Sequence, residues 1–424
     1  MKKVPQEIML DVVDQNGNNG VAEVDLASRV DNTGYVFHWE GGIYRAIRKQ
    51  HSPEVRRILT LPNFQKVFDA GLIDTKIVKH PTVKNYGTVL QHKRIDFPSY
   101  HIEWTPDMMR DGLLMLIDLG EELAKHGLEL YDNHTYNTFF DFSTPKYIDF
   151  GSMGHMRTGF PRQWAGYIKQ FWLDRRLFKT TNLTEADYLK IRSSENVALY
   201  CKQMREWLLS AEFSYSPTEW SGYGQKRFGQ IGNLPPKQEE YLRFIQECRE
   251  AGAETLLDIG ANQGVYSVMA ETLGYKVVAF DIDQTSIAKL YRHVKTNGLN
   301  ILPIIFDFSK PTEAHGLYTK GYTVGHERFA CDVTVALALT HHMSYKQRVD
   351  FDTYAERTSQ FTKRFAMVEF VPPEDKHIAG WPNKPPWYTI ENLIKSMMKH
   401  FDTVEILPCN PEPRKLLVFE KWQK

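Results

Sequence analysis

The sequence predicts two α/β units in succession: an α+β unit over residues 1–213 and, over residues 239–424, an open sheet with helices between its strands, joined by residues 214–238. Three observations predict this. An apolar run, Glu254-Thr255-Leu256-Leu257-Asp258-Ile259, ends in the turn Gly260-Ala261-Asn262-Gln263-Gly264 and gives way to the helical pattern Val265 to Ala270. A second apolar run, Lys276 to Phe280, ends at Asp281, 23 residues after Asp258. Ser, Gly and Pro cluster between Ser214 and Pro236, which marks a boundary.

The elements follow in order. Gly34 to Trp39, the turn Glu40-Gly41-Gly42, and Ile43 to Ile47 form a hairpin pattern, and Gly87 to His92 a later strand. Thr105-Pro106 opens a helix with a cap residue followed by proline, and Met109, Leu113, Leu116, Ile117 and Leu123 supply its apolar stripe until Gly127 stops it. Next come Leu128 to Asn137, the turn Ser143-Thr144-Pro145, and Tyr147-Ile148-Asp149-Phe150-Gly151. After the join, a helix from Glu239 to Ala251 leads into the glycine strand. Ile301 to Phe306 is a third strand ending at Asp307, Val333 to Leu339 a fourth ending at Thr340-His341-His342, and Ala366 to Val371 a fifth. Val404 to Leu407 and Lys415 to Phe419, separated by Pro408 to Pro413, predict a terminal antiparallel hairpin.

Composition excludes several classes. Lys plus Arg equals Asp plus Glu at 52 each, so no global field concentrates a polyanion, and nucleic acid is a disfavoured partner without a local basic patch. The four cysteines, Cys201, Cys248, Cys331 and Cys409, form no CxxC pair, which argues against a zinc ribbon or a disulfide framework. No apolar run is long enough to cross a bilayer and none follows Met1-Lys2-Lys3, so the expectation is a soluble, cytoplasmic protein.

The chemistry centres on the glycine turn. Gly260 and Gly264 let main chain approach a ligand closely, the following helix directs amides at it, and an acid at the tip of the second strand is placed to accept hydrogen bonds from two ribose hydroxyls. A pyrophosphate fingerprint needs a middle glycine, and Asn262 stands there instead. The alternative is an ordinary α/β domain with a glycine turn used for packing. The segment resembles the first motif of class I S-adenosylmethionine-dependent methyltransferases. That resemblance implies a Rossmann-like sheet of seven strands and S-adenosyl-L-methionine as cofactor. It places the methionine portion at Asp258, Gly260, Ala261, Asn262 and Gly264, the ribose at Asp281 with Ile282, and the adenine at Asp307 with Phe308.

Residues after strand four face the transferable methyl in that fold. This chain has neither the Asn/Asp-Pro-Pro-Tyr of amino-methylating enzymes nor a cysteine there, and a histidine suits a hydroxyl acceptor. His341 or His342 is the candidate base, and the sequence leaves open which faces the cofactor. Otherwise one caps the following helix and the other is a satisfied core histidine. Glu369, at the end of strand five, is a third candidate catalytic residue; with Asp375 it binds substrate hydroxyls, joins the histidines on a divalent metal, or packs as a strand-end carboxylate. Trp381, Trp387 and Tyr388, among prolines, form either a stacking wall for a sugar or ring, or cover for the sheet edge.

The N-terminal half carries a second signature. The order helix, Asp132-x-x-x-x-Asn137, short hairpin, Asp149-Phe150-Gly151 resembles the catalytic loop and metal motif of the protein-kinase and aminoglycoside-phosphotransferase superfamily. The resemblance implies Asp132 as the base beside an attacking hydroxyl, Asn137 and Asp149 as magnesium ligands, and ATP as donor. Departures accompany it. No Gly-x-Gly-x-x-Gly loop precedes the hairpin, Arg45 and Lys49 replace the usual strand lysine as groups to reach a phosphate, and Tyr131 stands at the usual arginine. Three readings remain: a scaffold that keeps the loop, an active phosphotransferase in a bifunctional enzyme, or chance, with the scaffold favoured.

Most of the chain also resembles a bacterial group of methyltransferases that includes host-specificity nodulation proteins, through Ser99 to Trp104, the Asp132 to Asp149 loop, the aromatic helix Trp164 to Phe171, Leu337 to His342, and Glu369 to Val371. Together these imply O-methylation of a saccharide or other hydroxylated small molecule, with Gln225 to Phe228 as a lid over the cofactor. The rival from another class is a non-catalytic recruitment protein that binds the cofactor as a ligand.

Overall fold

A computed structural model describes residues 8–25, 28, 31–194, 196–220, 234–310, 323–382 and 384–422. The expected lid, Gln225 to Phe228, lies outside them.

The C-terminal half is built on one sheet, whose strands are β1 (Thr255–Ile259), β2 (Lys276–Asp281), β3 (Ile301–Ile305), β4 (Cys331–Ala336), β5 (Thr362–Phe370), β6 (Thr403–Pro408) and β7 (Lys415–Glu420). Their spatial order is β3-β2-β1-β4-β5-β7-β6. The first five pair in parallel, and β7 lies antiparallel between β5 and β6. This mixed, mostly parallel sheet is consistent with a Rossmann-like methyltransferase fold. Helices cover both faces, which is why β1 to β4 read as near-continuous apolar runs rather than alternating ones. Strand order reverses between β1 and β4, so a crevice opens beyond their carboxyl ends. The fourth strand stops at Ala336, three residues before the expected Leu339, because Ala338 turns into the left-handed region at φ 52°.

In the N-terminal half the hairpin pattern forms Gly34–Trp39 and Gly42–Arg48, which extend through Tyr86–His92 and Thr75–Val78 into a four-stranded antiparallel sheet. A smaller sheet joins Asn19–Glu23, Met9–Val13 and Thr82–Val83. The helix predicted at Thr105-Pro106 runs Pro106–Lys125, with Thr105 Oγ1 accepting from Met108 N at 3.3 Å as its cap. Hairpin strands Thr138–Asp141 and Thr144–Tyr147 then carry the chain to Asp149.

The two halves share a core. One cluster of buried apolar side chains runs from Trp104, Leu116 and Phe140 to Tyr291, Phe306 and Phe361. Acids of the first half meet donors of the second at its edge: Asp107 accepts from Arg292 at 2.7 Å, Asp111 from the Tyr291 hydroxyl at 2.7 Å and Lys295 at 2.6 Å, and Glu103 is held by Arg328.

Candidate active site

Three positive φ values shape the turn after β1: Gly260 at 77°, Asn262 at 51° and Gly264 at 79°. Asparagine tolerates this region better than other side-chain-bearing residues, which explains its place between two glycines. A Cβ on Gly264 would meet Leu290 at 2.5 Å, so helix packing as well as conformation requires glycine there. Gly260 N and Ala261 N both donate to Phe280 O, at 2.9 and 2.8 Å, stitching the turn to β2.

Asp281 completes the stitch. Its Oδ2 accepts from Asn262 N at 2.7 Å and its Oδ1 from Asp283 N at 2.8 Å, and burial raises its pKa. Asp258, 2% exposed, accepts from Ser267 Oγ at 2.6 Å, and burial pushes its pKa up to about 6. Asp307 Oδ1 accepts from Ser309 N and Oγ at 2.8 and 2.6 Å. Ile282 is 54% exposed beside the turn. Phe308, by contrast, packs its ring against Tyr354 and Phe361, so only its main chain is free to meet a ligand. Asp258, Gly260, Ala261, Asn262, Gly264 and Asp281 are thus brought to one turn, with Asp307 at the end of β3.

A strap from the join crosses this turn. Asn262 Nδ2 donates to Trp220 O at 3.2 Å, Thr218 Oγ1 to Asp283 Oδ2 at 3.1 Å, and Thr285 Oγ1 to Ser216 O at 3.0 Å. Trp220 then places its ring edge-on to His342 at 4.7 Å. No local pattern around Trp220 signals this, because its partners lie 42 and 122 residues away in sequence.

Beyond β4, His341 and His342 enter a π-helical turn, His342–Lys346, that His341 precedes without a side-chain capping bond. Neither expected bland role is met. The rings lie 4.1 Å apart, Trp381 faces both at 5.5 and 5.1 Å, and the Lys346 ammonium sits over the Trp220 and Trp381 rings at 4.7 and 5.0 Å. Both Nδ1 atoms are buried without a hydrogen-bond partner among the described residues. Desolvation, reinforced by His342, takes the His341 pKa down to about 2; desolvation and Lys346 take that of His342 down to about 4. Both rings are therefore neutral near pH 7. His341 is 5% exposed, whereas His342 is only partly buried. Trp381 stands against the histidines, while Trp387 and Tyr388 pack on Phe351.

Glu369 is completely buried and takes part in four contacts. Lys237 Nζ and Ala338 N (2.7 Å) reach Oε2, while Arg414 Nη1 (3.3 Å) and Cys409 Sγ (3.7 Å) reach Oε1. Arg414 continues to Asp375 at 2.7 Å. The carboxylate holds the left-handed turn at Ala338. Sequence reasoning missed Lys237 and Arg414, which lie 132 and 45 residues from Glu369. Among the described residues no group of three or more His, Cys, Asp or Glu side chains converges as a metal would need, here or elsewhere.

In the N-terminal half, Asn137 Nδ2 and Tyr147 OH both donate to the Asp132 carbonyl, at 2.8 and 2.6 Å, and the Asp132 carboxylate lies 3.2 Å from His134 Nε2. Asp149 Oδ1 accepts from Arg45 at 3.0 Å and Gly151 N at 3.1 Å. Arg45 is buried in these contacts, so one of the two Asp149 oxygens expected for magnesium is engaged by Arg45 and Gly151 N.

No protein-family profile matches this chain. The nodulation protein NoeA of Rhizobium meliloti (strain 1021) is 22% identical over 414 residues, covering 82% of this chain and 85% of that protein. Among solved structures, the PH0226 protein from Pyrococcus horikoshii OT3 is 14% identical with a TM-score of 0.36, covering 49% of this chain and 100% of that one. Magnesium protoporphyrin IX methyltransferase (ChlM) from Synechocystis PCC 6803, solved with bound SAH, is 13% identical with a TM-score of 0.33, covering 46% of this chain and 90% of that one.

Proposed function

We propose that this protein is an S-adenosylmethionine-dependent methyltransferase acting on a hydroxyl of a saccharide or another small molecule. The observation that carries this reading is the Asn262 N to Asp281 Oδ2 bond at 2.7 Å, which locks the glycine turn against the acid that ends β2. One carboxylate thereby shapes the amino-acid subsite and keeps lone pairs directed into the crevice for ribose hydroxyls. The sheet order supports the same reading. Asp307 is assigned to the adenine amino group, and Phe308 contributes main chain alone.

The cofactor supplies an activated methyl on a sulfonium. The chain's own residues then have to align a nucleophile, exclude water and accept one proton. His342 is the better placed base, its ring being partly open and neutral. His341 backs it, and Glu369 positions both through Ala338 N. The indoles of Trp220 and Trp381 wall the space above, a surface suited to the apolar face of a sugar ring.

Calorimetry with the methionine sulfonium nucleoside and with its demethylated product tests this reading. Asp281→Ala is expected to weaken binding by about 1.5–3 kcal/mol, the range for hydrogen bonds to a charged group. An unchanged dissociation constant, or no heat from the wild-type protein with either compound, refutes it. Incubation with hydroxylated metabolites and glycans, read as a gain of one methyl mass, identifies the acceptor.

A further inference from the structure

Arg45 lies within the strand Gly42–Arg48 and is 4% exposed. Its guanidinium is gripped from two sides: Nη2 donates to Asp149 Oδ1 at 3.0 Å and Nη1 to Asp31 Oδ2. Asp31 is itself held in place, because Thr33 N and Thr33 Oγ1 both donate to its Oδ1 at 2.7 Å. Asp149 is fixed by Gly151 N, and Gly151 is the residue a Cβ would push into both Asp31 and Arg45. Next to this group His92 is buried and neutral, its pKa taken down to about 3 by desolvation and by Arg45.

One guanidinium thus faces two carboxylates, so the cluster carries a net negative charge in a place largely shielded from water. A planar guanidinium fork binds carboxylate and phosphate oxygens by the same geometry, so the position taken by Asp31 is one that a phosphoryl group would need. An arriving phosphate would add negative charge to a buried group that already has an excess of it, and would have to expel a side chain tied by three hydrogen bonds.

We propose that Arg45 forms an oxyanion cradle whose occupant is the chain's own Asp31, an internal carboxylate that bars the phosphates of a magnesium nucleotide from the N-terminal half. The half is closed to phosphoryl transfer by this contact, and removing the Asp31 charge opens the cradle to inorganic phosphate or to a nucleotide. This inference rests on contacts outside the seven-stranded sheet and stands or falls separately from methyl transfer.

The test uses the full chain, titrated by calorimetry with magnesium ATP and with inorganic phosphate, in wild type, Asp31→Ala, Asp31→Asn and Asp31→Ala combined with Arg45→Met. The expected result is at least a tenfold gain in affinity for either probe in Asp31→Ala over wild type, a smaller gain in Asp31→Asn, and loss of the gain in the double variant. Far-ultraviolet circular dichroism and the melting midpoint of each variant report folding independently of the cradle and of cofactor binding. Should Asp31→Ala fail to fold, Asp31→Asn decides, since it keeps an acceptor for Thr33 while losing the charge. Magnesium ATP binding by wild type that Asp31 replacement leaves unchanged overturns the proposal, as does a folded variant that gains affinity for neither probe.

Discussion

Asp258 makes cofactor affinity depend on pH in a range where the histidines do not titrate. Its carboxyl is 2% exposed, accepts a side-chain hydrogen bond from Ser267 Oγ, and its pKa is pushed up to about 6 by burial. At pH 6 roughly half of the unliganded molecules therefore hold a proton there. The proposed cofactor brings an ammonium and a sulfonium, and a cation within about 4–6 Å lowers a carboxyl pKa by about 1–3 units. With a shift of about 2 units, binding releases about half a proton at pH 6, and the dissociation constant rises about ninefold between pH 7 and pH 5. His341 and His342, at about 2 and 4, stay neutral across that interval. Calorimetry at pH 6 in buffers of different ionisation enthalpy reads the proton directly, and the same titration at pH 5 and 7 reads the affinity. Asp258→Asn is expected to abolish both effects and so to separate Asp258 from Asp281, whose pKa burial also raises. A wild-type constant that varies less than twofold from pH 5 to 7, or a ninefold change that persists in Asp258→Asn, refutes the reasoning.

Other consequences follow from the same geometry. His342→Gln removes the proposed proton acceptor, so methyl transfer to an identified hydroxyl should fall roughly 10²-fold to 10⁴-fold while calorimetry shows cofactor affinity retained. Four histidines, His92, His101, His341 and His342, have folded pKa values below the ordinary one, at about 3, 4, 2 and 4, because desolvation disfavours their charge. The unfolded chain thus binds more protons below about pH 6.5, and the melting temperature should decline steadily from there towards pH 4; a flat profile contradicts their burial. Glu369→Gln leaves Lys237 and Arg414 without their shared carboxylate, for which a loss of about 3–5 kcal/mol in denaturant-measured stability is expected.

What the sequence made legible was periodic and local. β2, β3, β6 and β7 lie within a residue or two of the apolar runs that foretold them, since each is bounded by a turn residue or an acid. The cap at Thr105 and the terminal hairpin are local signals too, and both are present. Strands Met9–Val13 and Asn19–Glu23 escaped notice because their alternation is diluted by Asp11, Asn19 and Gly20, and their turn depends on Asp14 accepting from Asn16 and Asn18. The site was legible only where the motif was contiguous. The glycine turn and Asp281 could be assigned to one ligand in advance because the spacing from Asp258 is that of a strand, a helix and a strand. Arg45 with Asp149, Lys237 with Glu369, and Trp220 with His342 could not, for a pair more than a hundred residues apart leaves no periodic trace.

The join between the halves shows the same limit from the other side. Its Ser, Gly and Pro content marks a change of chain character, and from composition alone two independent cores are the natural inference. Yet Asp107, Asp111 and Glu103 are each no more than 4% exposed, and their cations come from the other half: Arg292, Lys295 and Arg328. A buried carboxylate without its partner is costly, so these acids commit the long helix Pro106–Lys125 and its approach to the face of the seven-stranded sheet. The helix Gln284–Asn297 that supplies two of those cations begins at Asp283, two residues beyond Asp281. The same helix therefore starts beside the proposed ribose site and lays its last turns against the neighbouring half, so the N-terminal half packs on an element that borders the crevice.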